Sequence, residues 1–414
     1  MTSVLPLDRV RGVATPILTR VAERVVLAAA SRIRGGRLDV TTPDGARRTF
    51  GDPDATERGE VVVHDSEAFL RLLIGGETGL GEAYVDGLWS SPDVTAVIRV
   101  GARSREALAL STGPLRVPIQ LRRTIAHRMR RNTRDGARRN IAAHYDLGND
   151  FYRLWLDETM TYSSAVFATP DQSLADAQRN KYRLVAEGAA LRAGMHVVEI
   201  GSGWGGFAIY AAGELGCRVT SITISREQHE LARERVRAAG LEGLVDIQLR
   251  DYRDLDGTYD AVVSIEMFEA VGAEYFEAFF RACSAVLVPG GHLSLQTITV
   301  PDVGYQRQVT GANWIQTYIF PGGLLPSLAA IERSLHGSGL VVTGVRDIAE
   351  HYVRTLRAWR TTFLARRDEV IAMGFGERFM RTWEYYLAIS EAGFATGVTQ
   401  DLQIAMEKRL PASA

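Results

Sequence analysis

The feature that most constrains this chain is a short apolar run, His196-Val197-Val198-Glu199-Ile200, which ends in Gly201-Ser202-Gly203-Trp204-Gly205-Gly206 and passes into a helical pattern from Phe207 to Leu215. A strand that stops on glycines and turns directly into a helix opens a strand-helix-strand unit. Further strand candidates follow at Arg218 to Ile224, Asp246 to Leu249, Tyr259 to Ile265, His292 to Ile298 and Leu340 to Val345, with helices in the gaps. The pattern predicts an α/β fold built on a doubly wound sheet. Its ligand should lie at the carboxyl ends of the strands, over the first glycine turn.

Glycine lets a ligand approach the backbone closely and permits the tight turn from strand to helix. The turn alone does not name the ligand. Gly201, Gly203 and Gly206 satisfy the dinucleotide fingerprint G-x-G-x-x-G, so a nicotinamide or flavin enzyme must be weighed. That reading wants an acid at the end of the second strand to hold the ribose hydroxyls, whereas this strand ends Ile222-Thr223-Ile224-Ser225. A glycine turn with no ligand is a further alternative.

The rest of the chain sets bounds. Its 414 residues, 46% hydrophobic and 23% charged, have globular composition, which excludes disorder for most of the length. Apolar stretches such as Val25 to Ala30 are broken by arginines well before the roughly 20 residues of a spanning helix. Charged residues from Asp8 to Arg24 interrupt any leader-like core, so a cytosolic protein is expected. Only Cys217 and Cys283 occur, too few for a disulfide framework or a cysteine-based zinc site, and no metal is expected.

Residues 1–120 read as a small mixed α/β domain, 121–140 as a basic linker and 141–414 as the catalytic domain. Within the first, a helical pattern runs through Ile17, Leu18, Val21, Val25 and Ala28. A strand is expected at Arg37 to Thr41 before the turn Pro43-Asp44-Gly45, a second alternating segment ends at Val63, and helical spacing resumes at Phe69, Leu72 and Leu73. Residues 1–140 hold 23 Arg against 16 acids, a balance of +7, while 141–414 balance at −8. Eight arginines lie between Arg122 and Arg139 beside one acid, Asp135. Such a run is a solvated linker or helix face, or a surface for anionic lipid or nucleic acid, and charge alone does not choose. Of the 48 basic residues only two are lysines, as a GC-rich genome would favour.

Several separate stretches resemble the cyclopropane fatty acid synthase family. They are His144-Tyr145-Asp146-Leu147-Gly148-Asn149-Asp150-Phe151-Tyr152, Leu156-Asp157, Met160-Thr161-Tyr162-Ser163-Ser164-Ala165, the glycine turn with Trp204, Thr223-Ile224-Ser225-Arg226-Glu227-Gln228, Met267-Phe268-Glu269-Ala270-Val271-Gly272 and Tyr318-Ile319-Phe320-Pro321-Gly322-Gly323. The resemblance implies a class I S-adenosylmethionine-dependent methyltransferase with a smaller mixed N-terminal domain, acting on the cis double bond of an unsaturated acyl chain in a membrane phospholipid. It places Tyr162 and Ser163 at the cofactor's methionine end above Gly201 and Gly203, Thr223 and Gln228 on the ribose and adenine side, and Ile265 along the site. It also implies a homodimer, and no nucleic-acid partner.

In the family a bound bicarbonate serves as base, held by a Glu, a Tyr, a His, a Cys and a backbone group. Glu269 and Tyr352 match that set here; Ser164 stands at the Cys position, Gln296 at the His position, and Ala270 where a second His is usual. Serine and glutamine both donate hydrogen bonds to an anion, so the resemblance keeps a bicarbonate site on paper. The altered set resembles an actinobacterial branch, some members of which make 10-methylene chains that a partner reductase converts to 10-methyl branches. Ring closure to a cyclopropane is the alternative product.

The chemistry accounts for these residue types. An isolated alkene is a feeble nucleophile, so orientation must supply much of the catalysis. Methylation leaves a carbocation, which a dry pocket with aromatic faces protects from water; Tyr145, Phe268 and Tyr352 are the candidates. Trp204 is either a packing residue or a cofactor contact, and His127, His229 and His351 have no matched role. A small-molecule methyltransferase and a silent lipid-binding relative are the other functional classes. Access to the bilayer would come from peripheral docking through Arg122 to Arg139 and the amphipathic segment Ile17 to Ala28.

Overall fold

The alternation at Arg37 forms a strand, β1 (Arg37–Thr41), in the computed structural model of the chain, which describes residues 16–105, 108, 136 and 147–410. Through the expected turn it pairs antiparallel with β2 (Arg47–Gly51), and on its other side it pairs parallel with β3 (Arg58–Val63). The short β4 (Trp89–Ser90) completes a sheet of order β2-β1-β3-β4. Helices Pro16–Ala30, Glu67–Val85 and Val94–Arg103 belong to the same region. The second is bent at Gly76, whose φ of 59° breaks the helical backbone. Further along it Gly81 is obligatory: a Cβ there would lie 2.5 Å from the ring of Tyr385 and 2.7 Å from that of Trp314.

The described residues fall into two compact units. The first comprises those before residue 128 together with 311–319 and 360–398, and the second comprises the remainder. The pattern of the sequence sets all of 141–414 in one domain, yet these two later segments pack with the first unit. A helix's apolar stripe shows that it is covered and not by what.

The second unit carries the sheet foreseen from the glycine turn. Its strands are β5 (His196–Ile200), β6 (Arg218–Thr223), β7 (Val245–Leu249), β8 (Tyr259–Ile265), β9 (Leu287–Thr299), β10 (Leu340–Asp347) and β11 (Gln400–Lys408), in the order β10-β11-β9-β8-β5-β6-β7. Strands β5 to β9 pair in parallel, and β11 runs antiparallel to both β9 and β10. The chain leaves β5 towards β6 and β7, then crosses back to β8 on β5's other side. That reversal opens a crevice at the carboxyl ends of β5 and β8.

Alternate residues of a strand face opposite ways, so this sheet has two cores. On one face Val198, Ile200, Val262 and Leu295 pack against Phe268, Phe276, Phe279 and Phe280. On the other Val197, Ala261 and Val263 pack against Phe207, Val185 and Val236. Strand β11 is absent from the expectation. Its alternation, Asp401-Leu402-Gln403-Ile404, resembles a strand half exposed to water, but Asp401 and Gln403 are buried as completely as Leu402 and Ile404.

Among the described residues no helix is long and apolar enough to cross a membrane, and no group of side chains could hold a metal ion. Tyr145 and the arginines of the basic run lie outside the described residues.

Candidate active site

The glycine turn sits at the end of β5. The N–H groups of Gly201 and Ser202 both donate to the Ile222 carbonyl on β6, tying the turn to its neighbour. Gly201 has φ +99°, and a Cβ there would meet the Cβ of Met267 at 2.8 Å. Gly203 also has positive φ, yet a Cβ on it would meet nothing within 4 Å. One glycine is therefore demanded by packing and the other leaves room against bare backbone, which is what a ligand needs. Gly205 caps the helix Gly206–Gly213 that follows, whose first N–H groups face the turn.

At the end of β6, where a dinucleotide enzyme would carry an acid, the Thr223 hydroxyl donates to the Gln228 side-chain oxygen at 2.9 Å. Both residues are buried. Ser225 caps the helix Arg226–Ala238 by accepting from the Gln228 N–H, which fixes where the Gln228 side chain starts. Neutral donors and acceptors thus occupy the position that binds ribose in relatives of this fold class, and they fit a nucleoside.

Tyr162 and Ser163 enter from the loop before the helix Leu174–Gly188. The Tyr162 ring touches Tyr152, Trp155 and Trp359 at centroid separations of 5.4–5.6 Å, and Tyr352 stands edge-on to Trp359 at 6.1 Å. These rings form one continuous aromatic cluster. Phe268 is not part of it: fully buried and stacked on Phe276 at 4.5 Å, it belongs to the core. Trp204, 2% exposed, packs on Tyr152 and donates to Asn149. Lys181, on the same helix, is fully buried and donates to the Ser163 hydroxyl at 2.6 Å. Burial pulls its pKa down to about 8 against the opposing pull of Glu266, Asp401, Asp157 and Glu199.

The carboxyl end of β8 is acidic. Ile265, the last residue of that strand, lies opposite Gln296 on β9. Glu266 follows, with φ +47°, a conformation that costs a side-chain-bearing residue on the order of 1–3 kcal/mol. Its N–H donates to the Gln296 carbonyl. Its Oε1 accepts from the Ser164 N–H and from Gln296 Nε2, both at 2.8 Å, and its Oε2 accepts from the Tyr352 hydroxyl at 2.7 Å. Gln296 also donates to Asp401 and accepts from Gln403. The Ser164 hydroxyl turns away to the Ala165 carbonyl.

Glu269 lies beside this cluster. One carboxylate oxygen accepts from the Ile298 N–H and the Thr297 hydroxyl, while the other is buried with no hydrogen-bond partner. Burial, then the Glu266 charge, pushes its pKa up to about 8. Asp401, deeply buried, is raised well above the carboxylate range for the same reasons in the same order.

The structure therefore brings Glu269, Tyr352, Ser164 and Gln296 to one place, but around the side chain of Glu266. The expected bicarbonate site does not fit: three of its donors are already spent on that carboxylate. Three residues of the cluster escaped the sequence reading. Glu266 immediately precedes the motif Met267 to Gly272. Lys181 was signalled by being one of two lysines in a chain that otherwise uses arginine, and Asp401 by a charge in an alternating apolar stretch.

The strand order, with β11 reversed beside β9, and the glycine turn at the end of β5 are those of class I S-adenosylmethionine-dependent methyltransferases, and this chain is one of them. More narrowly, it belongs to the mycolic acid cyclopropane synthetase family, whose model matches residues 132–404. It is 42% identical to the tuberculostearic acid methyltransferase UfaA1 of Mycobacterium tuberculosis, over 94% of this chain and 91% of that one. It is 35% identical to the cyclopropane-fatty-acyl-phospholipid synthase of Escherichia coli, over 83% of this chain and 86% of the relative. Among solved structures, the mycolic acid cyclopropane synthase CmaA1 complexed with SAH and CTAB matches with a TM-score of 0.62 at 30% identity, covering 66% of this chain and 98% of that one.

Proposed function

We propose that the protein methylates the cis double bond of an unsaturated acyl chain in a membrane phospholipid and leaves a 10-methylene group, which a separate reductase would convert into a 10-methyl branch. The observation that carries this reading is the 42% identity, along nearly the whole of both chains, to a relative named for a methyl-branched fatty acid. S-adenosylmethionine, when bound, supplies an electrophilic methyl group on a sulfonium centre. The chain's own residues then have three tasks.

The first is to hold the donor. Gly201 and Gly203 give backbone access, Tyr162 and a Ser163 hydroxyl fixed by Lys181 take the methionine end, Thr223 and Gln228 take the nucleoside, and Ile265 lines the site. The second is to exclude water from the cation that methylation leaves on the acyl chain, a task for the wall of Tyr162, Trp359 and Tyr352. Tyr145 is proposed to join that wall. The third is to accept a proton. For a methylene product, the hydrogen on the methylated carbon moves with its electron pair to the neighbouring cationic carbon. The new methyl group then loses a proton, and its C–H electrons form the exocyclic double bond. Without that migration, loss of the same proton closes a three-membered ring, the reaction named in the Escherichia coli relative.

Purified protein given the cofactor and dioleoyl phospholipid vesicles is expected to yield the exocyclic methylene chain by mass spectrometry and NMR. A cyclopropane as sole product would defeat the methylene reading, and no modified lipid at all would defeat lipid methylation. Peripheral docking belongs to the same proposal. In the helix Pro16–Ala30, which also carries Arg20 and Arg24, Ile17, Leu18 and Val21 are half or more exposed, a combination suited to the bilayer surface. Replacing Arg128, Arg130 and Arg131 with Gln is expected to reduce sedimentation with anionic vesicles; unchanged sedimentation would remove the basic run from the docking surface.

A further inference from the structure

Resting on the methyl-transfer reading, we infer that Glu266 is a built-in base: its carboxylate fills the position where a bicarbonate would sit and itself takes the proton that ends the reaction, so no anion is recruited from solution. Three separate elements converge on it, the loop at Ser164, strand β9 through Gln296 and the helix Ala349–Ala365 through Tyr352, and each gives it one donor at 2.7–2.8 Å. These are the residues the resemblance assigns to the bicarbonate. The nearby backbone donor, the Ile298 N–H, is given to Glu269. A dissolved anion would find its donors engaged and would enter beside the Glu266 carboxylate, where a second negative charge is repelled.

The backbone points the same way. Glu266 holds a left-handed φ at the mouth of the crevice, pinned by its own N–H on the Gln296 carbonyl. Left-handed backbone at a residue with a side chain persists where the surroundings enforce it, and a functional site is where that strain is used. Of the neighbouring groups, Gln296 is an amide, Ala270 a methyl group, the Ser164 hydroxyl is turned to a carbonyl, and Glu269, its pKa pushed up to about 8 by burial, already holds a proton at neutral pH.

The proton beside a carbocation is so acidic that placement of the accepting oxygen decides the rate more than its basicity does. The C–H bond of the transferred methyl breaks, its electron pair forms the new carbon–carbon bond, and the proton goes to a Glu266 carboxylate oxygen. It returns to solvent as the product leaves, which restores the carboxylate.

The test begins with unmodified protein, whose cofactor binding and turnover of dioleoyl phospholipid vesicles first establish the reading on which this rests. In bicarbonate-depleted buffer under argon, kcat is expected to stay within about twofold of its value with added bicarbonate. A tenfold or greater fall, reversed by bicarbonate, would overturn the inference. Glu266→Gln is expected to lose about 100-fold or more in kcat with cofactor affinity retained by calorimetry. Glu266→Gly, which relieves the left-handed backbone and empties the anion position, is expected to regain at least tenfold of the lost activity when formate or bicarbonate is added, in a saturable manner. A Glu266→Gly protein as active as the parent without any added anion would also overturn it.

Discussion

The two ends of this site, set on neighbouring strands, work by different means. At β5 and β6 the groups are neutral: bare glycine backbone, a threonine hydroxyl and a glutamine amide in one short hydrogen-bonded chain. At β8, β9 and β11 three carboxyls crowd together within reach of one buried lysine, and burial raises the pKa values of Glu269 and Asp401 and lowers that of Lys181. A ligand that keeps its protons is held by shape and neutral polarity, whereas a step that moves a proton needs groups whose charge is costly to bury. Binding and proton chemistry are thereby separable, and changes at one end should leave the other intact.

The largest break should come from Gly201→Ala, which sets a Cβ against Met267 at a φ of +99°. Cofactor affinity by calorimetry is expected to fall on the order of 100-fold, about 2.7 kcal/mol. Gly203→Ala meets no protein atom, so its loss of cofactor affinity would come from a Cβ entering the space left for the ligand; an unchanged affinity would remove Gly203 from the cofactor site. Glu269→Gln addresses the acidic end. Its kcat is expected to fall about 10-fold to 100-fold while the cofactor Kd stays constant, and a changed Kd would deny the separation. Gln228→Ala is the converse, with the cofactor Kd rising about fivefold to tenfold for the loss of roughly one hydrogen bond and kcat held.

The smallest effect concerns stability. Glu199, buried in β5 and bonded by the Ser221 hydroxyl, has its pKa raised by burial from 4.5 to about 8. Folding therefore favours its protonated form. Its contribution is complete below the unfolded value of 4.5 and is lost as pH climbs through 8. Glu199→Gln, which cannot ionise, should flatten the decline in denaturant midpoint between pH 5 and 9. An unaltered slope would show that Glu199 is ionised throughout.

The neutral end was the more legible in the sequence. Strands β5 and β8 have the bounds that their apolar runs indicate, and the missing acid after Ile222 already spoke against a dinucleotide, while Thr223 and Gln228 were named by the resemblance. Glycine turns write their requirement locally, into one stretch of chain. The acidic end is assembled from residues 164, 181, 266, 269, 296, 352 and 401, and no local pattern discloses that such distant positions meet. Asp401 was hidden further because a strand buried on both faces, one of them polar, has the alternation of a surface strand. Phe268 misled for the opposite reason: its neighbours in sequence belong to the site, but its ring belongs to the core.

Both cysteines are fully buried, one in each of the two cores that flank the large sheet, and burial raises both thiols above their usual pKa. Neither cysteine is among the residues that donate to Glu266, which are Ser164, Gln296 and Tyr352. Alkylating reagents should accordingly spare turnover in the folded enzyme, and the rate at which each sulfur becomes modifiable would time the opening of its own side of the sheet, giving a native two-channel probe of unfolding without any introduced label.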